Sequence, residues 1–331
     1  MAADWHYVTV AGAGDNSGDS WNNAMAMADF ITHIEADAVA DDYYAIEEGT
    51  YTLGEDVTVA VDGSAVAPIK LVGVTADTSN EPPIISDWAA PADRPIFAMG
   101  AFFFATNEYC FINNIEFTGT DTYQLLLRAH SGTYNCKLNN SSGTADRSAL
   151  YVNEMQCSVI GCEVLCSAGY AVRSISGDYV KVLSCYVHDS KNGIVLDLFS
   201  TVALCVIDTC SATGIDCGDH YHVTVVNNSI YNCATGIAGT TAYDITVINN
   251  IIDGCTVGAN WTTATAINFW GYNFFDSDGT PRTNVAVGVG DQSAASSGMN
   301  APAGGDFSVT QADTNVHDKA LDAGDLTGAT V

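Results

Sequence analysis

Short alternations of apolar and polar residues recur along the middle of the chain at spacings of 20 to 26 residues. Two copies are nearly identical: VTVVNNSIYNCATGIAG (residues 223–239) and ITVINNIIDGCTVGANW (residues 245–261). Each contains about three segments rich in β-branched residues, separated by turn residues, and neither has the i, i+3, i+4 apolar spacing of a helix. The pattern predicts three short strands in each repeat.

A repeat of this length fits one coil of three strands. When coils stack about 4.8 Å apart, each strand can pair with the equivalent strand of the neighbouring coil. Equivalent residues then form columns along the stack. The sequence therefore predicts an all-β fold, a parallel β-helix solenoid.

One predicted column lies at the tight bend between two strands. Asn tolerates left-handed backbone angles there and can pass side-chain hydrogen bonds from coil to coil, and Cys fills the same space as a small hydrophobe. We predict a structural ladder and eleven reduced, buried cysteines, with a redox or metal role for the cysteines as the alternative. The column comprises Asn113, Asn139, Cys162, Cys185, Cys205, Asn228 and Asn250.

The two ends depart from the repeat. NSGDSWNNAMAMADFITHIEA (residues 16–36) has apolar residues near helical spacing and predicts an amphipathic helix that covers the first coil. The β-rich periodicity fades after INFWGYNFFDSD (residues 267–278) into Gly-, Ala-, Asp- and Ser-rich sequence. We predict an N-terminal strand and capping helix (1–40), a parallel β-helix (41–284) and an extended C-terminal capping tail (285–331).

Charge restricts the class of partner. The chain of 331 residues has 39 acidic and 10 basic side chains and a net charge of −29. Such an acidic protein does not suit nucleic acid or an anionic membrane, both of which require Lys and Arg. No stretch reaches 18 uninterrupted apolar residues, and the start MAADWHYVTV lacks the basic and apolar regions of a secretory signal.

Beyond the repeat, YVTVAGAGDNSGDSWNNAM and EEGTYTL resemble the opening of the right-handed parallel β-helix, or pectin-lyase-like, superfamily. The closing segments GYNFFDSDGTPRTNVAVGVGDQSA and GGDFSVTQADTNVHDKALDAGD resemble those of β-helix repeat proteins of environmental bacteria and their phages. The resemblance implies a right-handed solenoid. It does not fix an activity, because this fold carries lyases, glycosidases, epimerases, tailspikes and adhesins.

The family's enzymes provide motifs against which the chain can be compared. Pectate lyases place an Arg or Lys base near aspartates that bind calcium, and polygalacturonases carry NTD, GHG and RIK motifs; we find neither set here. The nearest candidate is GIDCGDHYH (residues 214–222), which holds Asp216, Asp219 and His220. Carboxylates and an imidazole this close together could perform acid–base catalysis if they faced one groove, although a polar turn is the simpler interpretation.

Asp189 is the other catalytic candidate. It follows His188 one coil earlier, and Asp208 would lie on the next coil of the same face. A pair of carboxyl groups about 5–5.5 Å apart would suit a retaining glycosidase, although a solvated acidic face explains the same residues.

Two classes of function remain. The favoured one is a non-enzymatic structural or adhesive protein of a tailed-phage virion, such as a spike, fibre or capsid-decoration module. The alternative is a polysaccharide lyase or glycoside hydrolase with an atypical site. We expect a homo-oligomer, most simply a trimer, or contacts with other virion proteins, on a virion or extracellular surface. A glycan is a candidate ligand, and we expect no cofactor and no dedicated metal site, with Ca²⁺ the one ion that the acidic surface suggests.

Overall fold

The computed structural model describes residues 4–76, 80–240, 244–263, 269–276, 278–294, 299–301 and 306–309. The chain divides into two compact units, Met1–Lys181 and Val182–Val331. Within each unit, it passes in turn through three parallel sheets, which we call sheets I, II and III. Strands are numbered along the chain.

The first unit contains the longer and less regular turns. Its sheet I comprises β1 (Asp4–Val8), β2 (Asp42–Glu47), β5 (Ile69–Val74), β8 (Cys110–Asn113), β11 (Gly132–Tyr134) and β14 (Ser158–Ile160). Sheet II comprises β3 (Thr50–Thr52), β6 (Ile96–Gly100), β9 (Glu116–Gly119), β12 (Lys137–Asn140) and β15 (Glu163–Cys166). Sheet III comprises β4 (Val57–Thr58), β7 (Phe104–Ala105), β10 (Tyr123–Leu127), β13 (Ser148–Val152) and β16 (Tyr170–Ser174).

The second unit repeats more strictly, and β17 (Lys181–Leu183) lies at the boundary. Its sheet I comprises β20 (Thr201–Ala203), β23 (Thr224–Val226), β26 (Thr246–Ile248) and β29 (Phe269–Gly271). Sheet II comprises β18 (Tyr186–His188), β21 (Val206–Asp208), β24 (Ser229–Tyr231), β27 (Ile251–Asp253), β30 (Phe274–Asp276) and β32 (Gln292–Ala294). Sheet III comprises β19 (Asn192–Val195), β22 (Thr213–Asp216), β25 (Thr235–Gly239), β28 (Val257–Trp261) and β31 (Thr280–Thr283).

The columns predicted from the repeat are present in the pairing register. On sheet I of the second unit, Val202 pairs with Val225 and Val225 with Val247, and all three side chains are buried. Inward β-branched residues thus stack on their own equivalents in the core of the second unit. In the first unit, equivalent inward residues stack in the same way, for example Leu125 on Leu150. The prediction of a parallel β-helix is confirmed.

The N-terminal helix is shorter than the sequence predicts. Residues near its expected start bond instead to the first strand: Met25 N donates to the Tyr7 carbonyl at 2.8 Å, and Thr9 N donates to the Met25 carbonyl at 3.0 Å. The helical segments are a 3₁₀ turn (Trp21–Asn23), α1 (Met27–Thr32) and a π-helical turn (His33–Asp37). Extended pairing therefore replaces the first half of the predicted helix, and the buried side chains of α1 pack on the end of the core.

At the other end, β33 (Met299–Ala301) and β34 (Asp306–Val309) form an antiparallel pair. Three parts of the predicted C-terminal tail, residues 295–298, 302–305 and 310–331, lie outside the described residues. Within the described ranges, no helix has the length and apolar character needed to cross a membrane.

From β9 onward, the bend that precedes each sheet II strand has a constant construction. Its first residue has left-handed backbone, with φ between 50° and 73° from Asn114 to Gly290, and its second turns inward and is buried. The inward residues are Ile115, Cys136 and Cys162 in the first unit, and Cys185, Cys205, Asn228, Asn250, Asn273 and Asp291 in the second. The left-handed angle therefore belongs to the residue before the inward Asn, for example to Asn227 and not Asn228.

Two of the predicted ladder residues lie elsewhere. Asn113 and Asn139 are half-buried on strands β8 and β12, so the inward column passes through Ile115 and Cys136 instead. Both belong to an Asn-Asn dipeptide like those of the later repeats. The dipeptide at Asn113 begins one residue before the bend, and the dipeptide at Asn139 lies on strand β12. The turn geometry, not the dipeptide, determines the column.

In the second unit, the inward asparagines form a continuous hydrogen-bonded ladder. Asn228 Nδ2 donates to Asn250 Oδ1 at 3.0 Å, and Asn250 Nδ2 donates to Asn273 Oδ1 at 3.0 Å. Each Asn also accepts a hydrogen bond from the backbone at the bend of the preceding coil. Cys205 N donates to Asn228 Oδ1, and Asn228 N donates to Asn250 Oδ1, both at 3.0 Å. The ladder ends where Asn273 Nδ2 donates to Asp291 Oδ1 at 3.3 Å.

All eleven cysteines lie among the described residues, and each is a buried thiol outside any disulfide. Burial raises the pKa of Cys110 and of Cys157 to about 12, and that of Cys166 to about 11. Because the thiolate is the reactive species, these thiols are protected both by their inaccessibility and by their protonation.

We expect a maleimide or disulfide reagent at neutral pH to label few cysteines of the folded protein within minutes, and to label all eleven after denaturation. The measurement is intact-mass spectrometry with and without urea. Rapid labelling of several thiols before unfolding, or native disulfides, would contradict the assignment of these residues to packing.

Candidate functional site

The segment GIDCGDHYH forms the end of β22 and the bend after it. Asp216 is the last residue of β22, and its Oδ1 accepts a hydrogen bond from Gly218 N at 2.9 Å. Burial raises the pKa of Asp216, and the nearby imidazole of His220 opposes this rise. Asp216 therefore acts chiefly as the acceptor that closes its own turn.

The other two candidates of the segment point away from the core. His220 Nδ1 lies 3.1 Å from Asp197 Oδ1, and His220 Nε2 lies 3.8 Å from Asp219 Oδ1. Asp197 is nearly buried, whereas the Asp219 side chain is 70% exposed. A carboxylate that orients an imidazole is a common arrangement for a general base. Asp197 belongs to the previous coil, and the sequence alone did not pair it with His220.

Asp189 lies on the bend after β18, with left-handed backbone (φ 46°). Its Oδ2 contacts His188 Nδ1 at 2.9 Å, and its side chain is 67% exposed. Asp208 pairs in register with His188 and accepts a 2.6 Å hydrogen bond from the Thr209 hydroxyl. Burial, followed by the charge of Asp189, raises the pKa of Asp208.

A different surface has the concave shape that ligands require. It is a groove of about 800 Å³ on the outer face of sheet I in the first unit, which we call the sheet I groove. Two rows of outward side chains, each from neighbouring strands, form its floor. One row is Trp5, Tyr43, Lys70 and Phe111, and the other is Val72, Asn113 and Tyr134.

The floor is rich in aromatic faces. Trp5 packs edge-on against Tyr43 with 5.3 Å between ring centroids, and Phe111 and Tyr134 lie 6.1 Å apart. Lys70 Nζ lies 4.3 Å from the centroid of the Tyr43 ring, a cation–π distance that holds its charge over the floor. Successive strands are about 4.8 Å apart, so the four residues of the first row span roughly 14 Å.

One wall is the segment that joins β5 to β6. Pro83, Ile84, Ile85, Ser86 and Trp88 line the groove from this side. The side chains of Ile84 and Ile85 are 56% and 80% exposed, so the wall presents unusual apolar surface to solvent.

Hydrogen bonds hold this wall in place. Trp21 N donates to Glu81 Oε1 at 2.7 Å, and Asn80 Nδ2 donates to Asp87 Oδ2 at 2.8 Å. Thr75 N donates to the Asp87 carbonyl at 3.0 Å, and this bond fixes the segment to the end of β5. The groove is therefore largely pre-formed, as binding sites for small ligands usually are.

The electrostatic character of the groove differs from that of the whole chain. The protein carries a net charge of −29, yet none of the described residues that line the groove is acidic and one, Lys70, is basic. Aromatic faces, one cation and the Asn113 amide are the groups that stack on sugar rings and bond to their hydroxyl or carboxylate groups. The groove can thus hold a short saccharide without a charge penalty.

Comparison of the structure with solved structures finds similarity to two lyases and to a tailspike protein. The match to a pectate lyase, Pel9A, covers 92% of this chain and 84% of the lyase chain, with 13% sequence identity and a TM-score of 0.56. The match to an alginate lyase from Paenibacillus sp. strain FPU-7 covers 80% of this chain and 95% of the lyase chain, with 11% sequence identity and a TM-score of 0.55. The match to the Dettilon tailspike protein covers 87% of this chain and 61% of the tailspike chain, with 13% sequence identity and a TM-score of 0.49.

At these identities, the likeness establishes the fold and not the activity. A search of curated proteins found no match. At the level of sequence families, the family described as "Right handed beta helix region" matches residues 100–274, which is more than half of the chain. The chain therefore belongs to the right-handed β-helix family.

Proposed function

We propose that this chain is a non-enzymatic, adhesive β-helix protein that binds a glycan in the sheet I groove. The observation that carries the proposal is the floor of Trp5, Tyr43, Phe111 and Tyr134 beneath the wall that contains Trp88. Aromatic side chains on neighbouring strands offer a series of stacking faces, which is how rigid surfaces recognise ring-shaped ligands. A flat sheet without this wall would offer no comparable enclosure.

The charge of the groove narrows the class of glycan. Lys70 suits one carboxylate or sulfate group, while the net charge of −29 disfavours a polyanion such as a polyuronate. The ligand that fits best is a neutral or weakly acidic saccharide with exposed ring faces.

The groove is better suited to binding than to cleavage. Among the described residues that line it, there is no carboxylate to act as a general acid or to hold calcium. The Asp197–His220 pair and the exposed Asp189 belong to the second unit, where they occupy bends. A lyase or hydrolase remains the competing function, and the pair of Asp197 and His220 is where its acid–base chemistry would lie.

The proposed setting is the virion of a tailed phage, in which a spike, fibre or capsid-decoration module meets host glycans in several copies, most simply as a trimer. The fold, the acidic surface and the missing enzyme motifs of the family support this proposal. Mass photometry of the purified protein tests the copy number, and imaging of particles that carry it tests the location.

Binding to a glycan array, followed by calorimetry on the best ligand, tests the groove directly. We expect Trp88→Ala to weaken binding at least tenfold, because losing one stacking face costs on the order of 1.4 kcal/mol. Lys70→Met should weaken binding of an acidic saccharide and leave a neutral one nearly unchanged. Tyr186→Ala serves as the matched control, since Tyr186 is a partly exposed aromatic residue of the second unit.

Two results would contradict the proposal. One is binding that Tyr186→Ala reduces as much as Trp88→Ala does. The other is the release of reducing sugars or unsaturated products by the purified protein, lost in His220→Ala, which would establish the enzyme alternative.

A further inference from the structure

Three potential metal ligands that are far apart in sequence meet at the N-terminal end of the first unit. His6 lies on β1, Asp42 is the first residue of β2, and His33 begins the π-helical turn after α1. The two strands pair in parallel, with Asp4 opposite Asp42 and His6 opposite Tyr44. The fold thus brings a strand, its neighbour and the helical segment together at one point.

The donor atoms are close enough to share one ion. One ring nitrogen of each histidine and one oxygen of Asp42 all lie within 4.8 Å of one another. His6 Nε2 is 3.5 Å from Asp42 Oδ1. Ligands at about 2.0–2.2 Å from a tetrahedral zinc ion are roughly 3.3–3.5 Å apart, so this pair is already at ligand spacing.

Ordinary hydrogen bonding leaves this cluster incomplete. His6 Nε2 is buried and has no hydrogen-bond partner among the described residues, and its 3.5 Å separation from Asp42 is long for a hydrogen bond. A buried ring nitrogen without a partner is costly, and a metal ion would complete its coordination.

Neighbouring groups already hold the other two ligands in place. The Tyr44 hydroxyl lies 3.0 Å from His33 Nδ1. Val39 N donates to Asp42 Oδ2 at 2.8 Å, which leaves Asp42 Oδ1 facing His6. Hydrogen bonds of this kind to ligating imidazoles and carboxylates orient them in metal sites.

We propose that His6, His33 and Asp42 bind a divalent transition-metal ion, with Zn²⁺ as the fitting example. Two imidazoles and one carboxylate suit zinc and related ions, whereas Ca²⁺ and Mg²⁺ prefer a shell made of oxygen atoms. Three protein ligands leave a fourth position for water. The ion would join the helical cap to the first two strands, and its binding would stabilise the N-terminal end of the fold.

The test uses untagged, chelator-treated full-length protein, with Zn²⁺ as the probe. We expect one Zn²⁺ per chain by calorimetry, and a rise in Tm of about 5 °C at a free Zn²⁺ concentration about a hundred times the Kd. Co²⁺ should give the visible absorption of a four-coordinate site. Mg²⁺ at the same concentration should leave the Tm unchanged.

Variants separate this site from adventitious binding to the acidic surface. His6→Ala and Asp42→Asn should each raise the Kd for Zn²⁺ at least about 100-fold, and Tyr44→Phe about 10- to 100-fold, as expected for an outer-shell partner. Asp42→Asn preserves the shape of the side chain, so its fold can be checked by circular dichroism before titration. His130→Asn removes an imidazole that stacks on Tyr109, and should bind Zn²⁺ as the parent does.

The proposal fails if Zn²⁺ does not bind, if Mg²⁺ raises the Tm as much as Zn²⁺ does, or if His6→Ala and Asp42→Asn retain the parent affinity. None of these three results depends on glycan binding, so this proposal and that of the sheet I groove can fail separately.

Discussion

Replacing Asn250 by Leu is expected to lower the free energy of unfolding by at least about 3 kcal/mol. Asn250 Oδ1 accepts from both Asn228 N and Asn228 Nδ2 at 3.0 Å, and Asn250 Nδ2 donates to Asn273 Oδ1 at 3.0 Å and to the Val225 carbonyl at 3.1 Å. Leu has a similar size but satisfies none of these groups. Two buried donors would lose their acceptor, and each such loss costs about 1–3 kcal/mol.

Urea denaturation monitored by circular dichroism measures the effect, and Asn260→Leu is the matched control. Asn260 is half-buried on β28 and lies outside the ladder, so the same substitution there should change stability by no more than about 0.5 kcal/mol. A loss below about 1 kcal/mol for Asn250→Leu would mean that the ladder bonds contribute little.

The ladder has a direction, and its last residue reflects this. The NH₂ group of each Asn donates a hydrogen bond to the side-chain oxygen of the next Asn. The NH₂ group of the last Asn therefore requires a partner that only accepts hydrogen bonds. Asp291 meets this need: its carboxylate accepts from Asn273 N at 2.9 Å and from Trp270 Nε1 at 2.7 Å. Arg282 Nη1, 3.5 Å away, supplies a compensating charge. A carboxylate therefore ends a ladder that another Asn would leave with an unpaired donor.

The repeat alone was sufficient to predict the fold and the later part of this ladder. From Cys185 to Asn250, coils of nearly constant length keep the bend in the same phase, so counting along the sequence locates the inward residue. The first unit has longer and unequal connections, so the repeat spacing no longer locates the bend there. Asn113 and Asn139 therefore fit the sequence pattern but lie on strands. Asn273 and Asp291 continue the column beyond the last repeat that the pattern identified.

The sheet I groove and the His6–His33–Asp42 cluster could not be predicted in the same way. Outward residues of a sheet carry no periodic signal of their own, and the groove depends on how residues 80–88 fold back over the sheet. The cluster joins residues up to 36 positions apart, and the turn that delivers His33 is π-helical where the sequence predicted a longer α-helix. The sequence predicted the catalytic candidate His220, but its partner Asp197 lies on the adjacent coil and meets it only in the folded chain.

The stability of the protein is expected to fall between about pH 4 and pH 7 through Asp278. Burial, followed by the charges of Asp253 and Asp276, raises the pKa of Asp278 from 3.8 to about 7. Its Oδ1 accepts from Cys255 N at 2.8 Å, whereas its Oδ2 is buried without a hydrogen-bond partner among the described residues. Deprotonation therefore places an uncompensated charge on a mostly buried group.

The sign follows from proton linkage. Between the unfolded and folded pKa values, the folded state binds more protons than the unfolded state, so the free energy of unfolding decreases as the pH rises. The contribution is fully present below about pH 4 and is lost as the pH passes through 7. The full shift would correspond to about 4 kcal/mol, and partial solvent screening reduces this to roughly 2 kcal/mol.

Asp278→Asn isolates this contribution, because Asn retains the oxygen that accepts from Cys255 N and cannot ionise in this range. The free energy of unfolding of both proteins is measured from pH 4 to pH 8. Relative to the parent, the free energy of unfolding of the variant should increase by roughly 2 kcal/mol as the pH rises over this range. Asp219→Asn, at a largely exposed carboxylate, should give a difference that is flat with pH. A flat difference for Asp278→Asn as well would mean that Asp278 is solvated and titrates as an ordinary surface carboxyl.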